Sequence, residues 1–400
     1  MQKTKYTYLI VGGGLTGASA IQGIREKDST GTILLISDEK YLPYDRPPLS
    51  KKLWTGDKRV EEIFLHDAKF YQENHVELKL GAKATSVDPD KKTVTDDSGN
   101  EYRYEKLLLA TGGRPRQLTI PGHDLNGICY FRSLADYESV RAKAVEGGSA
   151  VVIGGGFIGS EMAAALRMNK LKVTMIFPEP YLCQQVFPKS LGEAIREDYV
   201  RKGIVVLNED VPVSISQKGG GFLTRTQRGV VVQSDIVIAG IGIQPDAKLA
   251  ISAGLVIENG ISVNEFLQTS SSDIYAAGDN AYFPCSPLGK KMRFEHWDNA
   301  LNQGKHVGRN MAGAAEPFKY LSYFFSDLFE FGYEAVGEVD ARLKTCMDWQ
   351  EVNRKGIIYY LDGDKIRGVM LCNVWGKVDE ARQWILNGTN IHGLPLHTTA

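Results

Sequence analysis

The pattern of apolar positions predicts two copies of one α/β unit. An apolar strand over residues 6–11 leads into a glycine-rich turn, a helix over 15–27 and a second apolar strand over 32–36. Strands this apolar are typical of parallel sheets that are covered on both faces. The same order recurs as a strand over 150–153, a helix over 157–169 and a strand over 173–177. The pattern therefore predicts an internal repeat of a strand–helix–strand unit.

The pattern changes from about Tyr320 onward. Short strand-like segments over 334–339, 356–361 and 367–371 are followed by one helical segment over 378–386. This mixture predicts a small α+β domain at the C-terminal end. Residues 388–400 have no periodicity, so we expect a frayed tail. The stretches 113–122 and 243–245 have the composition of crossings between domains.

Each predicted unit carries a glycine fingerprint between its first strand and its helix. The turns read Gly-Gly-Gly-Leu-Thr-Gly over residues 12–17 and Gly-Gly-Gly-Phe-Ile-Gly over 154–159. In the first turn, Gly12 permits the tight turn, Gly14 lets backbone approach a pyrophosphate, and Gly17 lets the helix pack on the strand. Gly154, Gly156 and Gly159 hold the same places in the second turn. The helix N-terminus then offers unpaired N–H groups to the phosphates. Two dinucleotide sites are therefore predicted.

An acidic residue ends the second strand of each unit. Asp38 lies 38 − 17 = 21 positions after the last glycine of the first turn, and Glu179 lies 179 − 159 = 20 positions after that of the second. A carboxylate at this place accepts hydrogen bonds from ribose hydroxyls and repels a 2′-phosphate. No Arg or Lys follows Glu179 before Lys189. The sequence therefore favours NADH over NADPH at the second site.

Composition removes several other classes of function. The 47 basic and 48 acidic residues nearly cancel, which leaves no basic footprint for nucleic acid. No apolar run is long enough for a membrane span, and the predicted strand at Tyr6 leads us to expect no targeting peptide within this sequence. The five cysteines form no C-x-x-C pair, and the seven histidines show no metal-ligand spacing. We therefore expect buried thiols, no metal, and a reducing, cytoplasmic location.

Three further motifs give the chain a family resemblance. Residues 109–115 (Leu-Ala-Thr-Gly-Gly-Arg-Pro), 238–245 and 274–279 (Ile-Tyr-Ala-Ala-Gly-Asp) resemble the two crossings and the second FAD motif of flavoproteins with two dinucleotide-binding domains. The resemblance implies FAD at the first fingerprint and NADH at the second. It implies an α/β fold with two Rossmann-like domains, as in glutathione reductase, plus the small α+β domain. The implied boundaries are 1–117 with 245–319 for FAD, 118–244 for NAD and 320–400.

The segment over residues 42–54 narrows the branch of this superfamily. It contains no cysteine, so dithiol chemistry beside the flavin is not expected. Its Arg-Pro-Pro-Leu-Ser-Lys run resembles NADH-dependent ferredoxin and rubredoxin reductases and apoptosis-inducing factor. The resemblance places Lys51 near flavin N5, paired with Glu161. Pro47 and Pro48 favour a helix start, with Lys51 on its first turns. The alternative for Lys51 is a solvated lysine in a stiff loop.

Other runs resemble apoptosis-inducing factor more closely, among them 157–161, 177–179, 310–315, 325–328 and 332–335. By position, Phe157 covers the flavin until nicotinamide displaces it, and Glu295 and His296 lie near the nicotinamide and the flavin. The alternatives are packing at a helix start for Phe157 and a structural role for His296. Phe324 and Phe325 stand where the family has site-lining aromatics, one of them usually tryptophan.

The implied site residues form three sets. The catalytic residues are Lys51, Glu161, Phe157 and His296. The FAD-binding residues are Gly12, Gly14, Leu15, Thr16, Gly17, Asp38, Arg46, Lys51, Ala110, Thr111, Gly112, Gly278, Asp279, Glu295, His296, Trp297 and Phe325. The NAD-binding residues are Gly154, Gly156, Phe157, Ile158, Glu161, Glu179 and Gly242.

The expected activity is hydride transfer from NADH to FAD, followed by electron transfer to an external acceptor. The first hypothesis for the acceptor is a small iron–sulfur protein, ferredoxin-like or rubredoxin-like, with Lys290, Lys291 and Arg293 as part of its docking surface. The second is a redox protein like apoptosis-inducing factor, with a long-lived FADH2–NAD charge-transfer complex and redox-linked dimerisation. The third is an NADH oxidase or quinone reductase. A homodimer is left open.

Overall fold

Strands outnumber α-helices in the part of the chain that the structure describes. The computed structural model describes residues 5–396. Its strands are β1 Lys5–Val11, β2 Ile33–Ser37, β3 Val76–Leu80, β4 Ala84–Asp88, β5 Thr93–Asp96, β6 Glu101–Leu109, β7 Gly113–Pro115, β8 Ile128–Cys129, β9 Ser149–Ile153, β10 Lys172–Phe177, β11 Val205–Asn208, β12 Pro212–Lys218, β13 Gly221–Thr226, β14 Val231–Ser234, β15 Ile236–Ala239, β16 Ile243–Pro245, β17 Ile257–Glu258, β18 Gly260–Ser262, β19 Ile274–Ala276, β20 Ala281–Cys285, β21 Lys290–Met292, β22 Tyr323–Leu328, β23 Phe331–Gly337, β24 Lys344–Glu351, β25 Lys355–Asp362 and β26 Lys365–Cys372. Its α-helices are α1 Leu15–Arg25, α2 Lys52–Thr55, α3 Ala68–Glu73, α4 Leu134–Lys143, α5 Phe157–Met168, α6 Lys189–Arg201, α7 Lys248–Ser252, α8 Trp297–Met311 and α9 Val378–Leu386. Short 3-10 helices cover Pro47–Ser50, Val60–Glu62, Ser286–Leu288 and Ile391–Gly393.

The chain divides into two units, each built from three segments. The first unit comprises the residues up to Asp45, Val60–Arg114 and Gln244–Tyr323. The second comprises Arg46–Arg59, Pro115–Ile243 and the residues from Phe324 on. The three-domain division at residues 117, 245 and 319 stays a prediction.

The first unit is centred on a sheet with the order β3-β2-β1-β6-β5-β4, and β19 pairs with β6. Strands β1, β2, β3, β6 and β19 run parallel, while β4 and β5 pair antiparallel. Its centre is fully apolar, since Leu9, Ile10 and Leu108 are completely buried. Helices α1 and α8 pack closely because small residues line their contact. A Cβ atom on Gly308 would lie 2.2 Å from the carbonyl oxygen of Ala20.

The second unit contains a parallel sheet with the order β11-β10-β9-β15-β8. An antiparallel three-stranded sheet, β12-β13-β14, adjoins it through one apolar cluster that includes Val151, Ile176, Val237 and Phe222. The predicted repeat of strand, glycine turn, helix and strand is therefore present in both units.

The C-terminal part of the second unit is an antiparallel sheet, β22-β23-β26-β25-β24, with α9 packed against β23 and β26. The sequence predicted α9 at its observed bounds but missed β22 and β24. Strand β24 lies at the sheet edge and buries only one of its residues fully, so its side chains give little apolar alternation.

Two local expectations were wrong. Lys51 does not lie on the first turns of a helix: its backbone (φ −134°, ψ −97°) separates the 3-10 turn from α2. The predicted frayed tail contains a 3-10 turn whose Ile391 is buried, and Asn390 bridges to Lys365. Residues 397–400 of that tail lie outside the described residues. Within residues 5–396, no helix combines the length and apolar character that a membrane span requires.

Candidate functional site: two dinucleotide sites and a buried lysine cluster

The first glycine turn leaves one open position between two closed ones. Gly12 has φ +124°, and a Cβ atom on it would lie 2.1 Å from the carbonyl oxygen of Ala110. A Cβ atom on Gly17 would lie 2.1 Å from the carbonyl oxygen of Gly12. Gly14, by contrast, has no atom within 4 Å of such a Cβ. The open glycine precedes α1, which has no side-chain cap, so its first N–H groups face a place where a pyrophosphate fits.

The second glycine turn repeats this geometry. Gly154 has φ +113°, and its Cβ would lie 2.3 Å from the carbonyl oxygen of Gly240. The Cβ of Gly159 would meet the carbonyl oxygen of Gly154 at 2.1 Å, while Gly156 is open. Helix α5 also starts without a side-chain cap. The two turns are thus matched candidate anion sites at two helix N-termini.

The loop after β10 holds the predicted ribose ligand of the second site. Glu179 is half-buried, and its carbonyl oxygen accepts the N–H of Glu209 at 3.2 Å. The next carbonyl, of Pro180, accepts Arg196 Nη1 at 3.1 Å and Asn208 Nδ2 at 3.0 Å. The sequence window after Glu179 missed Arg196 because α6 brings it back to this loop. Asp38, in the first unit, is exposed one residue after β2.

The second predicted FAD motif lies directly beside the first glycine turn. Gly278 has φ +85°, and its Cβ would lie 2.4 Å from Thr16 Oγ1. The N–H of Gly278 donates to Gln303 Oε1 at 2.8 Å. Asn280 Nδ2 donates to Thr111 Oγ1 at 2.9 Å and to the carbonyl oxygen of Leu109 at 3.0 Å. These bonds join residues 278–280 to the 109–115 motif and to α8, and the close approach of Gly278 to Thr16 adds the first glycine turn.

Two buried polar atoms in this region have no protein partner. Gln303 and Asn280 are fully buried, and Gln303 Nε2 and Asn280 Oδ1 make no hydrogen bond within residues 5–396. Buried polar groups are normally paired, so unpaired atoms beside open glycines fit a polar ligand such as FAD. Sequence reasoning found neither residue, because a lone amide in a helix or after a glycine motif gives no pattern.

The start of α8 carries three predicted site residues. Burial lowers the pKa of His296 to about 4, with the Asp279 carboxylate opposing the shift, so its imidazole is neutral at pH 7. Glu295 forms an ion pair with Arg293 Nη1 at 2.5 Å. Trp297 Nε1 donates to Asp45 Oδ1 at 2.8 Å. The helix start is therefore held by fixed contacts and offers a neutral imidazole.

The second unit contains a buried cluster around Lys51, next to the start of α5. Lys51 Nζ lies 3.1 Å from Glu161 Oε1, and these side chains are only 10% and 7% exposed. The ammonium also lies 4.6 Å from the ring centre of Phe325 and 3.8 Å from Asp327 Oδ2. The pairing of Lys51 with Glu161 that the resemblance implied is thus present in the geometry. The two ions compensate each other's burial.

Two serine hydroxyls complete the surroundings of Glu161. Ser50 Oγ donates to Glu161 Oε2 and Ser326 Oγ donates to Glu161 Oε1, both at 2.5 Å. Ser326 lies in the run 325–328 that resembles apoptosis-inducing factor, but no role was expected for it because Glu161 is 165 positions away. Each carboxylate oxygen of Glu161 therefore accepts a short hydrogen bond from a serine hydroxyl.

Aromatic rings pack around the first residue of α5. Phe157, the first residue of α5, is half-exposed, and its ring centre lies 5.7 Å from that of Phe324. Phe324 in turn contacts Tyr333 edge-on at 6.1 Å. Phe157 therefore stands between the open Gly156 and these rings, where it can cover a planar ligand.

The cysteines take no part in a disulfide. All five are free. Burial raises the pKa of Cys183 to about 12, so this thiol is un-ionised at neutral pH. No metal-holding group of His, Cys, Asp and Glu exists within residues 5–396.

The predicted site residues fall into both units. Arg46, Lys51 and Phe325, assigned to FAD, lie in the second unit, as do all the residues assigned to NAD. The remaining FAD residues lie in the first unit. Arg46 donates through Nη1 to the carbonyl oxygen of Arg132 at 2.9 Å. The assignments to ligands stay predictions.

Comparison with known proteins agrees with the motifs. The family model "Pyridine nucleotide-disulphide oxidoreductase" matches residues 6–304, and the model "Apoptosis-inducing factor, mitochondrion-associated, C-term" matches residues 307–354. Apoptosis-inducing factor 1, mitochondrial, of Dictyostelium discoideum is 34% identical over 98% of this chain and 80% of its own length. The ferredoxin–NAD(+) reductase component of the anthranilate 1,2-dioxygenase system of Burkholderia cepacia is 32% identical over 95% of this chain and 94% of its own.

A solved structure supports the same assignment. The reductase-like chain in the covalent putidaredoxin reductase–putidaredoxin complex superimposes with a TM-score of 0.91 at 28% identity, covering 96% of this chain and 94% of that one. The fold class expected from the sequence, with two dinucleotide-binding domains and a small α+β domain, is thereby confirmed. The chain belongs to the pyridine nucleotide-disulphide oxidoreductase family.

Proposed function

We propose that this protein passes electrons from NADH through FAD to a small iron–sulfur protein of the ferredoxin type. It is an NADH-dependent oxidoreductase whose cofactors are FAD and NADH. The observation that carries the proposal is the presence of two complete glycine turns. In each, one glycine at an uncapped helix start, Gly14 or Gly156, leaves open space around its Cα atom. Two such sites in one chain suit an enzyme that binds a resident dinucleotide and a dinucleotide substrate.

The chemistry of the cofactor sets what the residues must do. Bound FAD accepts two electrons from NADH and can release them singly. In our proposal the N-termini of α1 and α5 bind the two pyrophosphates, and Glu179 binds the ribose of NADH. The Lys51 ammonium stabilises negative charge on the reduced cofactor. His296, neutral at pH 7, offers hydrogen bonding without adding charge.

The absence of thiol chemistry supports an outward electron transfer. Segment 42–54 has no cysteine, all five cysteines are free, and the thiol of Cys183 has a raised pKa. A disulfide substrate would require a low-pKa thiolate near the cofactor. The acceptor class comes from the relatives, which include a ferredoxin–NAD(+) reductase component and a reductase solved in complex with putidaredoxin.

The location of a docking surface is part of the proposal. Of the three cations suggested by the sequence, Lys291 is paired with Glu258 at 2.7 Å and Arg293 with Glu295. These pairs offset much of the positive charge. An acidic partner would therefore gain less from this patch than three unpaired cations would give, and a weak salt dependence is expected from it.

An anaerobic acceptor series tests the proposal. The holoprotein is mixed with NADH while the flavin absorbance at about 450 nm is recorded. A ferredoxin, a quinone or oxygen is then added to separate samples. We expect fast bleaching by NADH and rapid recovery with ferredoxin only. A flavin that NADH does not bleach would refute the proposal. Equal recovery with quinone or oxygen would move the function to the NADH oxidase or quinone reductase class.

A second candidate function rests on the C-terminal part of the chain. Residues 307–354 match the C-terminal model of apoptosis-inducing factor, and the Dictyostelium relative covers 98% of the chain. This function would give slow reduction, an air-stable long-wavelength band with bound NAD⁺, and a change of oligomeric state. Light scattering after gel filtration with and without NADH separates it from the first: an NADH-induced dimer supports the second function.

A further inference from the structure

The carboxylate of Glu161 is held on both oxygens by hydroxyls from different parts of the second unit. Ser50 ends the 3-10 turn before Lys51, Glu161 lies on α5, and Ser326 lies on β22. All three side chains are buried. A carboxylate only accepts, so each hydroxyl must donate its single hydrogen to Glu161. The direction of both bonds is therefore fixed.

This arrangement restricts a side chain that would otherwise turn. The terminal torsion of a glutamate is broad and has no sharp minima. With Ser50 on Oε2 and Ser326 on Oε1, both at 2.5 Å, the plane of the carboxylate is set from two sides. Lys51 Nζ contacts the same Oε1 at 3.1 Å. The position of the ammonium therefore depends on an oxygen that Ser326 holds.

Lys51 has a second carboxylate within reach. Asp327 Oδ2 lies 3.8 Å from Nζ, and its side chain is 52% exposed, whereas that of Glu161 is 7% exposed. A lysine has a flexible four-carbon stem with rotatable donors, so it follows the better-placed anion. Glu161 and Asp327 thus compete for one ammonium. The hydrogen bond from Ser326 fixes Glu161, the buried one of the two carboxylates, and so favours the buried position of the Lys51 ammonium.

We propose that Ser326, with Ser50, is a positioning residue that fixes the Glu161 carboxylate and through it keeps the Lys51 ammonium on its buried side, nearer to Glu161 than to Asp327. The inference rests on the proposed function for the role of Lys51 in NADH oxidation. It adds a residue of the C-terminal sheet to the site. It also assigns Asp327 the role of the competing partner.

The test compares five variants of the FAD-loaded protein. Ser326→Ala removes the donor, and Ser326→Thr keeps a hydroxyl. Ser326→Ala with Asp327→Asn removes the competitor as well. Ser234→Ala is the matched control, since Ser234 is buried in the same unit and its hydroxyl has no partner within residues 5–396. Ser50→Ala removes the donor to the other carboxylate oxygen of Glu161 and replaces Ser326→Ala in the test if that variant fails to fold.

Four quantities are measured on each variant, and three of them are expected to change in Ser326→Ala. We expect Ser326→Ala to slow flavin reduction at saturating NADH about ten- to 150-fold, the range for loss of one hydrogen bond to a charged group, with the Kd for NADH nearly unchanged. The flavin midpoint potential becomes more negative. The Lys51 side-chain signal, seen by lysine-selective ¹³Cε labelling and assigned with Lys51→Arg, shifts. Ser326→Thr restores all three, the double variant restores part of the rate, and Ser234→Ala matches the wild type.

The outcomes separate this inference from the proposed function. A wild-type flavin that NADH fails to reduce refutes the proposed function, while the Lys51 signal still reports on the inference in that protein. An unchanged Lys51 signal and potential in Ser326→Ala overturn the inference even when NADH reduces every variant. A double variant no better than Ser326→Ala overturns the competition with Asp327.

Discussion

Trp297 donates its indole N–H to Asp45 Oδ1 at 2.8 Å, which ties the first turn of α8 to the residue just before the Arg-Pro-Pro segment. The backbone N–H of Asp45 also donates to the carbonyl oxygen of Ile63 at 2.8 Å. A tryptophan at a helix start could serve packing alone, but this bond gives its polar edge a defined partner. Asp45, the last residue of its segment, is thus held in the first unit by two hydrogen bonds.

Replacing Trp297 by Phe should lower the free energy of unfolding by about 1–3 kcal/mol, because the ring is kept while Asp45 loses its donor. Urea unfolding followed by circular dichroism measures the change. Trp375→Phe is the control, since that side chain is 56% exposed. Equal stability of Trp297→Phe and the wild type would show that the bond contributes nothing.

The open glycines predict separate losses of the two ligands. Gly14 and Gly156 have ordinary φ values (−91° and −82°) and room for a Cβ, so alanine at either should fold. The added methyl would occupy the space of a pyrophosphate. We expect Gly14→Ala to be purified with little FAD. Gly156→Ala should keep FAD but bind NADH at least about ten-fold more weakly, a loss of about 1.4 kcal/mol.

Gly393→Ala is the control for both changes, because this glycine also has no atom within 4 Å of a built Cβ. Flavin content is read from the visible spectrum and NADH binding from titration. Gly12→Ala should instead fail to fold, since its Cβ would lie 2.1 Å from a backbone oxygen at φ +124°. Loss of NADH binding in Gly14→Ala with FAD retained would reverse the assignment of the two sites.

The carboxylate of Glu179 should control the choice between NADH and NADPH. Glu179→Ala removes the repulsion of a 2′-phosphate and leaves Arg196 nearby, hydrogen-bonded to the next residue's carbonyl. We expect the NADH/NADPH ratio of kcat/KM to fall about ten-fold or more, a change of about 1.4 kcal/mol. Adding Arg196→Ala should reverse part of that fall. An unchanged ratio in Glu179→Ala would place the selectivity elsewhere.

The pKa of His296, lowered to about 4 by burial, predicts a pH dependence of stability. The unfolded chain has the ordinary pKa of about 6.5, so it binds the proton more readily than the folded protein does. Between pH 6.5 and 4 the folded state is therefore progressively destabilised by this residue as the pH falls. His296→Gln removes the proton site, so the FAD-free variant should lose less stability over this window.

The free energy of unfolding of the wild type and of His296→Gln, measured at about pH 7.5, 6, 5 and 4, tests this prediction. His392→Gln is the control, because His392 is exposed. The two proteins should differ least at pH 7.5, where the imidazole is neutral in both states. Parallel pH profiles for the wild type and His296→Gln would contradict the lowered pKa.

The glycine turns and their acidic residues could be predicted because each signal is local. A strand, a turn and a helix follow one another within about 30 residues, and the constraints on Gly12 and Gly17 act over a single turn. The order of motifs then indicated the fold. The pair of Lys51 and Glu161 came from the resemblance, since nothing local relates two residues 110 positions apart.

The rest of the site could not be read from the chain because it depends on long-range contacts between ordinary residues. Ser326, Asn280 and Gln303 belong to residue types that occur on every surface, and only the fold shows that they are buried. Arg196 escaped notice because a helix separates it from the loop that it contacts. Lys51 was placed on a helix because Pro47 predicts a helix start, whereas the helix breaks at Lys51 itself.

The composition of the second unit has a consequence for synthesis on the ribosome. Its short segment Arg46–Arg59 leaves the ribosome early, but the residues that enclose Lys51 include Phe325, 274 positions later. At about 5–20 residues per second this interval lasts roughly 14–55 seconds. The buried Leu53 and Trp54 wait less long, because their hydrogen-bond partners Tyr137 and Asn169 follow 84 and 115 positions later. The nascent chain therefore presents a short apolar stretch beside Lys51 that a holdase chaperone can bind before these partners are made.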